Sequence, residues 1–114
     1  MTVEVRLRPE AEQDVAEAAL WYEANEPGLG VQFVDQVQAT INTIAEQPSA
    51  LTAVHKSVRR ALIRRFPFGV FYQIDEDAII VVAVLHGSRH PRAWKERRQT
   101  GSESTFTSTP LLRR

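Results

Sequence analysis

Residues 69–85 read Gly69-Val70-Phe71-Tyr72-Gln73-Ile74-Asp75-Glu76-Asp77-Ala78-Ile79-Ile80-Val81-Val82-Ala83-Val84-Leu85, two β-rich runs joined by three acids. β-Branched and aromatic side chains fit the pleated surface of a sheet, and a short polar break between two such runs reads as a tight turn. The runs 69–74 and 78–85 are therefore predicted to pair antiparallel. The second run is almost wholly apolar, the pattern of a strand covered at least in part on both faces. Upstream, Val58 to Ile63 has the same character, so three successive strands are expected to form an antiparallel meander.

A sheet with an apolar face requires a second layer to bury it. Residues 9–46 supply one. Ala11, Val15, Ala18 and Tyr22 fall on one face of a helix expected from Pro9 to about Glu26. Glu12, Asp14 and Glu17 sit early in it, where the helix dipole favours anions. Pro27-Gly28-Leu29-Gly30 breaks that helix, and a second stripe follows at Phe33, Val37, Ile41 and Ile44, ending before Pro48. Two such helices should form an antiparallel hairpin.

At the amino end Val3, Val5 and Leu7 alternate with polar neighbours as in a half-buried strand, which Pro9 stops. Residues 48–57 read as loop, and Pro91 to Arg98 as one short helical turn. The expected fold class is α+β, with order β-α-α-β-β-β and a helical hairpin packed on a mainly antiparallel sheet of about four strands. Residues 1–98 form the expected domain. The tail 99–114 is polar, dominated by Ser and Thr, and expected to be flexible.

A chain of 114 residues supports one hydrophobic core. It has no cysteine, which excludes disulfides and thiolate metal sites and points to a reducing, cytoplasmic setting. No apolar window is long enough to span a bilayer, and Met1 to Pro9 is charged where an export signal would be apolar. The formal net charge is zero, yet the halves are opposed. Residues 1–50 hold nine acids against two bases (−7), and residues 51–114 hold twelve bases against five acids (+7). The basic half points to an anionic partner.

Three candidate centres of chemistry fail on physical grounds. In His86-Gly87-Ser88-Arg89-His90 the two histidines have a metal-pair spacing, but Gly87 and Pro91 oppose the helix that would align them, and only the distant His55 could add a third ligand. Ser88 lacks the strand-turn-helix elbow of a hydrolase nucleophile. Gly28 and Gly30 follow a helix and carry no lysine, unlike a phosphate loop. No metal or cofactor is expected. What remains is the arginine set Arg59, Arg60, Arg64, Arg65, Arg89, Arg92, Arg97 and Arg98, with Phe66, Phe68, Tyr72 and Trp94 among them. Such a set can hold phosphates while bases stack on rings. The alternative packs the aromatics in the core and pairs the arginines with the acidic helices or with a partner protein.

The order of elements, with Pro9-x4-Asp14, Trp21-Tyr22, Pro27-Gly28-Leu29-Gly30-x2-Phe33, Pro48, Arg65-Phe66-Pro67-Phe68, Phe71-Tyr72-Gln73-Ile74 and His86-x2-Arg89-x4-Trp94, resembles the RelE/ParE superfamily of type II toxin-antitoxin toxins. It is most similar to the ParE-like, plasmid-stabilisation branch, over residues 3–98. The resemblance implies a growth inhibitor neutralised by a cognate antitoxin protein that covers its apolar and basic surfaces. ParE-like members act on DNA gyrase, whereas RelE-like members cut messenger RNA on the ribosome.

Metal-free RNA cleavage requires groups that move protons and cations that stabilise charge on the phosphate. Arg65 and Arg89 match basic positions of RelE-like nucleases, and His86 is a side chain able to carry a proton. The late aromatic, a tyrosine in those nucleases, corresponds here to Trp94, whose indole is no acid or base. Tyr72 lies within a strand and reads as packing. The resemblance therefore implies gyrase inhibition, with Arg65, Arg89, Arg92, Trp94, Arg97 and Arg98 contacting gyrase or antitoxin. A ribosome-dependent endoribonuclease using Arg65 and Arg89 is the alternative, and an inactive partner-binding module of the same fold is a third.

Overall fold

Pro9 divides a strand from a helix at a single residue, and the rest of the architecture follows from that junction. In the computed structural model, which describes residues 3–49, 53–55, 57–76 and 78–87, the elements are β1 (Glu4–Leu7), α1 (Pro9–Asn25), α2 (Leu29–Glu46), β2 (Ala53–His55), β3 (Val58–Leu62), β4 (Phe68–Asp75) and β5 (Ala78–His86). They form one sheet in the order β1-β5-β4-β3-β2, with α1 and α2 as the covering hairpin. The expected α+β fold and element order are present. Ala53–His55 departs from the loop expected there: it pairs with β3 at the sheet edge and brings the strand count to five. Three residues are too few for a period-two pattern to register.

The meander is antiparallel throughout, β3 on β4 and β4 on β5, while β1 runs parallel to β5 with Glu4 opposite Ala78 and Leu7 opposite Val81. The β4–β5 hairpin closes with Asp75 opposite Ala78, and Glu76 takes the left-handed φ of 56° that a two-residue hairpin turn demands. The helical turn expected at 91–98 and the tail from 99 lie outside the described residues.

The helix-facing core unites Ala11 and Val15 of α1 and Phe33, Val37, Ile41 and Ile44 of α2 with Val70, Tyr72, Ile79, Val81 and Val84 of the sheet. Phe33 is fully buried and lies 5.3 Å from Tyr22, 5.2 Å from Phe66 and 5.0 Å from Phe68 between ring centroids. Offset and edge-on contacts at these distances add to the burial of area. The aromatics of the basic half that are described are thus packing residues. A second apolar cluster, including Val58, Phe71, Ile80, Val82 and Leu85, occupies the opposite face of the sheet. Strand β5 is therefore covered on both faces, as its unbroken apolar run predicts.

The turn between the helices relies on a side chain from α1. Gly28 precedes α2 with φ 88° and offers no side-chain cap. The Glu23 carboxylate instead accepts the N–H groups of Gly28 (3.0 and 3.1 Å) and Gly30 (3.0 Å). These are donors that a helix start leaves without internal partners, and the anion also suits the positive end of the dipole.

Tyr72 ties the sheet to the end of α2: its hydroxyl donates to the Pro48 carbonyl at 2.9 Å. Burial raises its pKa above the ordinary 10.0, against the opposing pull of Arg59. The folded state then holds the phenolic proton more tightly than the unfolded chain. Stability from this group is complete below about pH 10 and falls as pH rises through the folded pKa. Tyr72→Phe is expected to lose about 0.5–1.5 kcal/mol at neutral pH and to flatten the alkaline limb. Urea midpoints between neutral and alkaline pH test this, and an alkaline slope equal to that of wild type would refute it.

Candidate functional site at the turn end of the sheet

β1 stops at Leu7, yet β5 continues to His86, so the upper part of β5 has no β1 residue beside it. The last link is the Arg8 N–H donating to the Val81 carbonyl at 3.0 Å. At this level β5 carries a β-bulge: Phe71 lies opposite Ala83 but Tyr72 opposite Val81, leaving Val82 as the extra residue. Beyond the bulge the Val84 N–H meets Asp14, whose Oδ2 accepts it at 2.9 Å. A carboxylate one turn and a half into α1 thus takes over a donor that a longer β1 would have paired.

Between α1 and this end of the sheet lies a groove of about 660 Å³. Asp14, Glu17 and Trp21 form one wall, Tyr22, Phe68 and Val84 are among its apolar lining, and Pro67 and His86 stand at the sheet end. Trp21 is 61% exposed, edge-on to Tyr22 at 5.1 Å. An exposed tryptophan beside a mainly apolar depression is characteristic of protein recognition surfaces. His86 is opposite Phe68 in register, with ring centroids 5.4 Å apart.

The β3–β4 turn borders this region. The Ile63 N–H donates to the Phe68 carbonyl at 2.9 Å, and the Gly87 N–H to the Pro67 carbonyl at 2.7 Å. Arg64 and Arg65 project from the turn and are exposed, and Arg65 holds a left-handed φ of 72°. That conformation is uncommon for a residue with a side chain and is kept here by the closed turn. Of the predicted contact residues, Arg65 is placed at the end of the sheet. Arg89, Arg92, Trp94, Arg97 and Arg98 lie outside the described residues, as does His90. The groove wall of Asp14, Glu17 and Trp21 was not anticipated as a site. A signal existed in Trp21, a large apolar residue one position off the buried stripe of its helix.

The molecule is thus a helical hairpin over a small mixed sheet, with an apolar groove and a basic turn at one end. The fold is that of a solved structure from the chromosomal ParDE toxin-antitoxin system of P. aeruginosa, with a TM-score of 0.67 at 12% identity, over 75% of this chain and 96% of that one. The sequence model of the family described as ParE toxin of type II toxin-antitoxin system, parDE, matches residues 5–91. Toxin ParE2 of Mycobacterium tuberculosis is 32% identical over 97 residues, in strains CDC 1551/Oshkosh and H37Rv alike, covering 82% of this chain and 90% of the relative. The chain belongs to the ParE toxin family of type II toxin-antitoxin systems.

Proposed function

We propose that the chain arrests growth by binding DNA gyrase through the basic end of its sheet, and that a cognate antitoxin silences it by laying an amphipathic segment into the groove beside Trp21. The observation that carries this reading is the combination, at one end of the molecule, of an apolar groove with an exposed tryptophan and a turn bearing two exposed arginines. Such a surface suits a protein partner. Arg65, Arg89, Arg92, Trp94, Arg97 and Arg98 are the residues assigned to gyrase or antitoxin contact. No helix among the described residues is long and apolar enough to cross a membrane. Action within the cytoplasm accords with this and with a chain free of cysteine.

Expression without antitoxin is expected to stop growth, and co-expression to restore it. With purified components, DNA supercoiling by gyrase should be inhibited and ribosome-programmed messenger RNA left intact. Cleavage of the RNA with gyrase unaffected would establish the endoribonuclease alternative through Arg65 and Arg89. Unimpaired growth would leave an inactive partner-binding module.

A further inference from the structure

Ala61 of strand β3 and Ile63 just beyond it enter the helix-facing core, so Val58, Arg60 and Leu62 belong to the other face of the sheet. Along that face cover is lost: Val58 is fully buried, whereas Arg60 is exposed and Leu62 is 70% exposed. Opposite Leu62 stands Gly69, which has no side chain to shield it. The space is used by the stem of Arg60, since a Cβ on Gly69 would lie 3.1 Å from its Cγ and 3.2 Å from its Cδ. The chain then turns through Arg64 and Arg65. Within the described residues the side chains of Arg60, Arg64 and Arg65 form no ion pair or hydrogen bond.

Three guanidinium groups with no counter-charge among the described residues, beside an exposed leucine, gain most against a surface of opposite charge. Nucleic acid would supply the charge but would want open rings to stack on. Among the described residues, the rings beside this patch in sequence or register are closed to it: Phe66 is 8% exposed and Phe71 6%. An exposed aliphatic side chain gains instead from a protein surface that covers it. Arg60 and Leu62 also lie on the face of the sheet away from the groove lined by Tyr22, Phe68 and Val84, with Arg64 and Arg65 on the turn between the two. An occupant of the groove leaves Arg60 and Leu62 open.

We infer that Arg60, Leu62, Arg64 and Arg65 form a second docking surface, distinct from the antitoxin groove, which takes an acidic protein surface of the growth-inhibition target by pairing carboxylates with the arginines and covering Leu62. This rests on the proposed toxin activity and adds to it the face and the chemistry by which the target is read. Arg60→Glu and Leu62→Ser alter exposed positions, so both should keep the wild-type unfolding midpoint. Each is expected to raise the concentration for half-maximal gyrase inhibition about tenfold, with antitoxin affinity by calorimetry within about twofold of wild type. Undiminished inhibition by both variants overturns the inference, as does a parallel loss of antitoxin affinity. A wild type that spares gyrase sinks the gyrase reading alone. Growth arrest by the same variants then decides the patch, with lost arrest supporting it and full arrest refuting it. Weakened binding to a single-stranded RNA oligomer, with protein targets unaffected, would assign the surface to nucleic acid and overturn the proposal.

Discussion

Gly30→Ala is expected to cost roughly 2 kcal/mol or more of stability, a larger loss than the methyl group alone would suggest. The added Cβ would lie 2.6 Å from the Ala19 carbonyl oxygen, a backbone atom that moves only if the helices part. It would also come within 3.0 Å of the Cβ and Oε1 of Glu23. Displacing that carboxylate removes charge-assisted hydrogen bonds to Gly28 and Gly30, of the kind worth about 1.5–3 kcal/mol each. Alanine has a higher helix propensity than glycine by about 1 kcal/mol, which offsets only part of this. For a domain of this size the unfolding midpoint should fall by roughly 10 °C. A calorimetric midpoint equal to or above wild type would show that the hairpin can open at no cost.

The second large effect concerns Asp14. Asp14→Ala leaves the Val84 N–H without its acceptor next to the core, a loss of about 1–3 kcal/mol. Asp14→Asn retains an amide oxygen at the same reach and should lose distinctly less. The signature is local as well as global: the Val84 amide should exchange with deuterium much faster in the alanine variant than in the asparagine one. Because Asp14 also walls the groove proposed to take the antitoxin, the alanine change should weaken antitoxin binding. An alanine variant with wild-type stability and a still-protected Val84 amide would remove Asp14 from this role.

Much of the architecture is legible in the residues because it rests on local periodicity. The stripe Phe33, Val37, Ile41 and Ile44 and the run 78–85 each declare their burial, and both are buried as read. Features that depend on elements meeting in space are silent. Nothing in residues 4–7 states that their neighbour is β5 or that the pairing is parallel. Asp14 reads as an anion favoured by a helix dipole, and its bond to Val84 exists only because a bulge at Val82 and the short β1 bring the two together. Glu23 reads as surface charge until the turn folds two amides onto it. The position of Arg65 at a strand end was legible from charge and strand pattern, but the packing of the Arg60 stem was not, because it depends on a glycine across the strand.

The parallel pairing of β1 with β5 bears on how the molecule comes into being. The helical hairpin and the meander join neighbours in sequence, whereas β1 must wait for a strand that begins at residue 78. Contacts so distant along the chain form late, after loop closure, and slow the final step of folding. During synthesis the first strand therefore leaves the ribosome long before its partner exists. Ile79, Val81 and Val84 complete the core, and Val84 and His86 complete the groove. A nascent or truncated chain lacking β5 has neither the completed core nor the groove, and both appear only when almost the whole domain has been made.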